Sequence, residues 1–316
     1  MLAPLLLTTL AWAGSVLEPQ RLSDEAYGET YTAVAALDDG GFVLLQLLFT
    51  NAGFGNDRSS CRALWVPKGG EGLNRSENAG SWSYDPGSDT LTVGTCTLGA
   101  SQGGLRFAAT VDDLTITLQT KQPRQPTKPP GHRVDVKSNF YEADIVVPRA
   151  DATIEVSAPG STHSGAGVVH IDHSRSNTLL PRVADCWMRF RGFTGAPPAL
   201  LQLRVPPGSD APEAWAWPLD EAAPTEAVGV QLGTTSSGQH QLTLQSAAGT
   251  YAVTPTSQIY RYRPTEAYGV MGKLASPWIG DPTTTTYAAR ATDPSGAALT
   301  GILEVSEIKS GGCVPR

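Results

Sequence analysis

Glu29-Thr-Tyr-Thr-Ala-Val-Ala-Ala-Leu-Asp-Asp-Gly-Gly-Phe-Val-Leu-Leu-Gln-Leu-Leu-Phe-Thr-Asn51 carries the signals of an antiparallel hairpin in one stretch. Two strand-like runs, Tyr31–Ala36 and Phe42–Thr50, flank Asp38-Asp39-Gly40-Gly41. Aspartate side chains bond to their own turn and glycine takes positive φ without steric cost, so the chain reverses there. The pattern recurs. Short apolar segments bounded by turn residues, such as Asp85-Pro86-Gly87-Ser88-Asp89 and the tight Asp112-Asp113, predict about eight strands in the first half. After the opening hairpin these lie near Cys61–Val66, Ser81–Tyr84, Thr90–Thr95, Leu105–Val111, Leu114–Gln119 and Phe140–Val147.

About ten more strands are predicted in the second half, near Ala152–Ser157, Gly167–Ile171, Asp185–Arg191, Ala199–Val205, Val228–Leu232, Gln241–Gln245, Tyr251–Thr254, Gln258–Tyr262, Tyr287–Thr292 and Gly301–Ile308. No segment sustains a 3.6-residue apolar period, so helices are few. The length of 316 residues suggests two domains, each a barrel or sandwich. The boundary is predicted between Val147 and Ser161, dividing 14–150 from 151–316.

Composition agrees with this class. Charged residues are 17% of the chain, and 33 Gly with 24 Pro supply hairpin turns rather than low complexity. The net charge of −7 excludes a general electrostatic grip on nucleic acid, which needs a clustered basic surface. Against that acidic background Lys121-Gln-Pro-Arg-Gln-Pro-Thr-Lys-Pro-Pro-Gly-His-Arg133 stands out. Its prolines bar it from a central strand. It reads as a solvated extended loop, or alternatively as a membrane-surface or partner contact through Lys121, Arg124, Lys128 and Arg133.

The N-terminal apolar run ends in Ala11-Trp12-Ala13, a small-x-small pattern that predicts a signal peptide over residues 1–13 and a secreted or periplasmic protein. An oxidising compartment lets an even number of thiols pair. Of three possible connectivities, Cys61–Cys96 and Cys186–Cys313 give one bridge per domain, the second clipping the C-terminal tail. No Cys-x-x-Cys spacing supports a zinc site.

The densest polar cluster is His163-Ser-Gly-Ala-Gly-Val-Val-His-Ile-Asp-His-Ser-Arg-Ser176, which holds three of the five histidines. On a strand His170 and Asp172 share a face and His173 takes the other. No metal-ligand spacing is present, and Gly160-Ser161-Thr162-His163 lacks the outer glycines of a serine-hydrolase nucleophile turn. A His–Asp acid/base pair and a polar network between domains remain as readings.

At this cluster the chain resembles the tandem lipocalin-like superfamily, which includes fungal survival-factor lipid carriers, AttH-like bacterial proteins and carotenoid hydratases. The resemblance rests on Ala152-Thr-Ile-Glu-Val-Ser-Ala-Pro-Gly160, Gly165-Ala-Gly-Val-Val-His-Ile-Asp-His173, Asp185-Cys-Trp-Met-Arg-Phe-Arg-Gly192 and the opening hairpin. It implies two calyx-like antiparallel barrels and a hydrophobic ligand such as a lipid, isoprenoid or polyketide-like molecule; no cofactor is expected. It also implies acid/base residues at Asp172 and His173 where members are hydratases or cyclases. Here Ser174, Arg175 and Ser176 stand where Asn, Trp and Gly are usual, and Ala199–Arg204 lacks the Tyr-x-Asp. A cationic Arg175 is a poor neighbour for a developing carbocation. The catalytic set looks dismantled.

The leading expectation is therefore an exported binder or carrier of an apolar ligand held in a barrel interior, walled by aromatics among Trp65, Trp82, Phe107, Trp187, Phe190 and Tyr260. Phe42, Phe49, Phe140, Trp215, Trp217 and Trp278 are further candidates. One alternative is a hydratase, cyclase or isomerase with His173 as acid/base and Asp172 orienting it. It requires His173 to face a solvent-connected cavity with another acid or Tyr in reach. The other alternative is a structural or adhesive envelope protein with filled barrels.

Overall fold

The computed structural model describes residues 15–51, 56–122, 127–129, 131–195, 198–209, 211–219, 225–236, 238, 240–247, 249–263 and 282–313. The predicted signal peptide, Arg124 and Trp278 lie outside them. As the turn pattern predicts, the protein is all-β. Among the described residues the one helical element is a 3-10 turn, Leu180–Arg182.

The first half is a twelve-stranded antiparallel sheet. Its strands are β1 (Gly28–Leu37), β2 (Phe42–Thr50), β3 (Arg58–Val66), β4 (Leu73–Ala79), β5 (Trp82–Asp85), β6 (Thr90–Val93), β7 (Cys96–Ser101), β8 (Gly104–Val111), β9 (Leu114–Thr120), β10 (Arg133–Val136), β11 (Asn139–Ala158) and β12 (Ser161–Ser176). They run in the order β4-β3-β2-β1-β12-β11-β9-β8-β7-β6-β5, with β10 on β11. The sheet curls until β3 meets β8. The turns are as read: Asp39 Oδ1 accepts from the Gly41 N–H at 2.8 Å, and Asp112 takes φ +52° in the two-residue link between β8 and β9. Inside the curl Tyr31, Phe49, Leu45, Leu47 and Phe107 are almost wholly buried. Each such side chain contributes roughly 1.5–3 kcal/mol of burial.

The second half is a closed eight-stranded barrel. It comprises β13 (Cys186–Thr194), β14 (Ala199–Val205), β15 (Glu213–Pro218), β16 (Thr225–Thr234), β17 (His240–Ser246), β18 (Gly249–Tyr262), β19 (Thr283–Thr292) and β20 (Ala298–Glu307). Met188, Phe190, Leu201, Leu203, Leu303 and Val305 fill it. The predicted disulfides are both present, Cys61–Cys96 from β3 to β7 and Cys186–Cys313 from β13 to the tail.

The sequence boundary at 150/151 falls inside β11. Backbone hydrogen bonds carry the first sheet to Ser176, because Pro159-Gly160 is the hairpin turn between β11 and β12 rather than a linker. Two bulges, between Ile145 and Val147 and between Val147 and Ala150, bend β11. Its first part faces the second barrel and its last part pairs with β9.

The barrels dock through two apolar clusters. Val34, Phe42, Leu44, Leu64, Val66 and Val168 of the first pack on Phe193 and Ile302 of the second, and Ile145 packs on Leu200 and Trp217. Gly131 lies so close to Trp215 that a Cβ there would meet the indole at 2.5 Å.

Candidate functional site

A cavity of about 530 Å³ lies between the two barrels. Its walls are their outer faces, and strand register shows how they are built. In β1, β2, β3 and β12 alternate side chains leave the first core, so Asp172, Thr32, Gln46 and Arg62 form one row across four strands. A row of Ser174, Thr30 and Leu48 runs beside it. The facing wall has the same construction: Arg189, Glu304, Thr286 and Tyr260 form one row across β13, β20, β19 and β18, and Trp187, Ser306, Thr284 and Tyr262 the next. All of these residues line the cavity. Hydrogen bonds tie several of these hydroxyls down: Gln46 Nε2 donates to Thr32 Oγ1 at 3.1 Å, Thr30 Oγ1 and Ser174 Oγ lie 2.7 Å apart, and Thr284 Oγ1 and Ser306 Oγ 2.9 Å.

The rows are clamped at both ends. At one, Arg189 Nη1 donates to Asp172 Oδ2 at 2.7 Å and Arg191 Nη2 to the same oxygen at 3.2 Å, while Arg191 Nη1 bonds to Glu304. His170 stands behind, its Nε2 3.5 Å from Asp172 Oδ2. Its Nδ1 is 3.0 Å from the Pro148 carbonyl exposed by the β11 bulges. Burial opposes ionisation of Asp172, but Arg189, His170 and Arg191 outweigh it and hold the carboxyl far below the usual range. Burial lowers His170, and its contact with Asp172 only partly offsets this. Tyr141 packs edge-on against Trp187, ring centroids 5.1 Å apart, and burial pushes its phenol up.

At the other end Arg62 lies over Tyr262, its Cζ 3.8 Å from the ring centroid and 6.0 Å from that of Tyr260. Its Nε donates to Asn74 Oδ1 at 2.9 Å. Gly72 makes room for this contact, since a Cβ there would approach Tyr260 Cδ2 to 2.9 Å. Leu179, Leu180 and Pro181, from the connection between barrels, border the cavity, and Leu180 is 46% exposed.

The structure does not bring Asp172 and His173 together. Alternation turns His173 into the first barrel, where Nε2 is 2.6 Å from Glu29 Oε1 and the ring stacks on Tyr31 at 4.1 Å. Tyr27 also donates to Glu29, as does the Gln20 N–H. Burial works against the Glu29 charge, but these donors, His173 foremost, hold its pKa below the usual value. His173 thus has an acid and a tyrosine in reach, yet it does not line the inter-barrel cavity.

Of the predicted wall aromatics, Trp187 and Tyr260 line the cavity. Trp65 and Phe107 belong to the first core, Phe190 to the second, and Trp82 packs on Phe49 with centroids 5.0 Å apart. In the basic segment Lys128 lies 3.9 Å from Asp144, and Arg133 pairs with Asp135 and Glu142. Sequence reasoning missed Arg62, Arg189, Arg191, Tyr141, Tyr262 and Glu304. Their signal is period-two alternation, as in Trp187-Met-Arg-Phe-Arg191, where polar or amphipathic residues interleave with core ones. Among the described residues no group of His, Cys, Asp and Glu is arranged to hold a metal, and no helix is long and apolar enough to cross a membrane.

No family model and no curated protein matches the sequence. Solved structures do match its fold. The AttH-like protein of Nitrosomonas europaea superposes with a TM-score of 0.61 at 11% identity, over 90% of this chain and 93% of that one. Kievitone hydratase from Nectria haematococca gives 0.54 at 11% identity, over 90% of both chains. CghA in complex with Sch210972 gives 0.51 at 10%, over 90% of this chain and 89% of that one. At such identities the likeness is one of architecture. The chain thus has the tandem lipocalin-like two-barrel fold.

Proposed function

We propose that the chain is an exported binding protein for an elongated, largely apolar small molecule, held between its barrels rather than inside either one. The observation that carries this reading is the cavity of about 530 Å³. That size is ordinary for a ligand site, and leucine, tyrosine and tryptophan side chains share the lining with hydroxyl, amide and largely paired charged groups. Both barrel interiors are occupied by their own cores. Two disulfides support an oxidising compartment. Asp172 is committed to two arginines and His173 to Glu29, which leaves neither free to shuttle protons in the cavity.

Native mass spectrometry of the chain purified from its own host tests this. An adduct that organic extraction removes is expected. Leu48→Trp, which adds an indole to the cavity wall without touching either core, is expected to purify without it. Protein that carries no adduct and binds no apolar compound from a panel of fatty acids and isoprenoids would overturn the reading.

A second reading, a hydro-lyase or isomerase acting on the bound molecule, is favoured by the likeness to kievitone hydratase. On this geometry the reacting groups are those of the cavity wall, with the Tyr141 hydroxyl beside the Asp172–Arg189 pair. Turnover of the adduct that is abolished in Tyr141→Phe and kept in His173→Gln would select it.

A further inference from the structure

We propose that Arg62 is the anchor for a carboxylate at one end of the bound molecule, so that the ligand is an anionic amphiphile rather than a neutral one. The inference rests on the cavity being a binding site and names what the site selects.

Four guanidinium groups line the cavity: Arg62, Arg175, Arg189 and Arg191. Arg189 and Arg191 are neutralised by Asp172 and Glu304, and Arg175 by Glu142. Arg62 differs. Among the described residues no carboxylate lies within ion-pair distance of it, and its protein partners are the Asn74 amide oxygen on Nε and the ring faces of Tyr260 and Tyr262. That arrangement fixes the guanidinium plane and leaves the Nη1/Nη2 edge for an acceptor. Two parallel N–H groups in one plane match the two oxygens of a carboxylate, and one positive charge balances one negative.

The rest of the row sets the ligand's course. Arg62 stands three strand spacings from Asp172, roughly 14 Å at about 4.8 Å per strand. Between them in the row stand Thr32 and Gln46, flanked on β2 by Leu44 and Leu48, with Trp187 beside Arg189 on the facing wall. An apolar body lying across the strands from Arg62 reaches the Asp172–Arg189 end, where every charge is already paired and an uncharged group fits best. A partly desolvated arginine with no acid beside it costs stability in the empty protein and lowers that cost on meeting an anion. It is therefore a specificity residue, separate from the clamp that holds the barrels together.

Oleic acid and oleyl alcohol, which share a chain and differ in the head, test this on the full chain at about pH 8, where the acid is ionised. Titration below micelle formation is expected to show the acid binding about tenfold or more tightly. Arg62→Gln is expected to remove that preference while leaving alcohol affinity within about twofold; Arg106→Gln, on the far exposed face of β8, is expected to change neither. Equal affinity for acid and alcohol in the unmodified protein would overturn the anchor and leave the cavity reading standing. So would an acid preference that survives Arg62→Gln, or a parallel loss of both probes in that variant, which would make Arg62 a wall residue only. If neither probe binds, the cavity reading for chain amphiphiles fails and the anchor with it.

Discussion

Asp172 Oδ2 accepts a 2.7 Å hydrogen bond from Arg189 Nη1, joining the last strand of the first barrel to the first strand of the second. The bond is largely shielded from water, with Asp172 buried and Arg189 nearly so. Removing one partner of such a pair strands the other charge away from water, at a cost of about 3–5 kcal/mol, whereas replacing both with apolar groups is far milder. Asp172→Ala is expected to lose stability in that range in urea denaturation, and Asp172→Ala with Arg189→Met to recover much of it. A single variant that unfolds at the unmodified midpoint would show that the bond does not hold the seam.

The same group governs acid stability. The folded pKa of Asp172 lies below its unfolded value, so its contribution is present above about pH 4 and is lost as pH falls through the folded pKa. Glu29 and Glu142 are lowered too and add to the same slope. Stability is therefore expected to decline below about pH 4, and Asp172→Asn to flatten that decline. At the other extreme Tyr27 and Tyr31 are held neutral by burial and by Glu29, so unfolding is expected to ease above about pH 10 as the unfolded phenols ionise.

His173 supports the inside of the first barrel and stands apart from the cavity. His173→Ala leaves Glu29 buried without its 2.6 Å partner and is expected to cost about 3 kcal/mol or more, with Glu29→Gln in the same chain restoring part of it. Ligand affinity, measured where the variant is still folded, is expected to stay within about twofold. A loss of binding in the folded variant would place His173 in the site after all.

Each disulfide closes a long loop, with separations of 35 and 127 residues. In the chain-entropy account these contribute roughly 4 and 5 kcal/mol. Paired Cys→Ala replacement at 61/96 and at 186/313 is expected to lower stability in that order, read by guanidinium denaturation of the oxidised variants. Equal, negligible losses would mean that the unfolded chain is already compact around these positions.

Much of this was legible in the residues. Asp-Gly turns between alternating runs gave an all-β chain, and the two cysteine pairs fall as expected because each pair lies within one half. The boundary predicted between Val147 and Ser161 falls within β11 and the Pro159-Gly160 turn to β12, since nothing local distinguishes a hairpin inside a domain from a link between domains. The site was hidden for a related reason. Thr30, Thr32, Gln46 and Arg62 occupy alternate positions that look solvent-facing, and only the second barrel covers them. One strand did signal this. In Phe42–Thr50, Val43, Leu45, Leu47 and Phe49 point to the core, yet Phe42, Leu44 and Leu48 on the opposite face are apolar as well. A strand apolar on both faces is covered on both.

Because the cavity is walled by the outsides of two separately cored barrels, neither barrel owns it. Expressed apart, each half would keep its interior and lose the site. Changes at Thr284, Thr286 or Gln46 would reshape this wall without touching the packing inside either barrel.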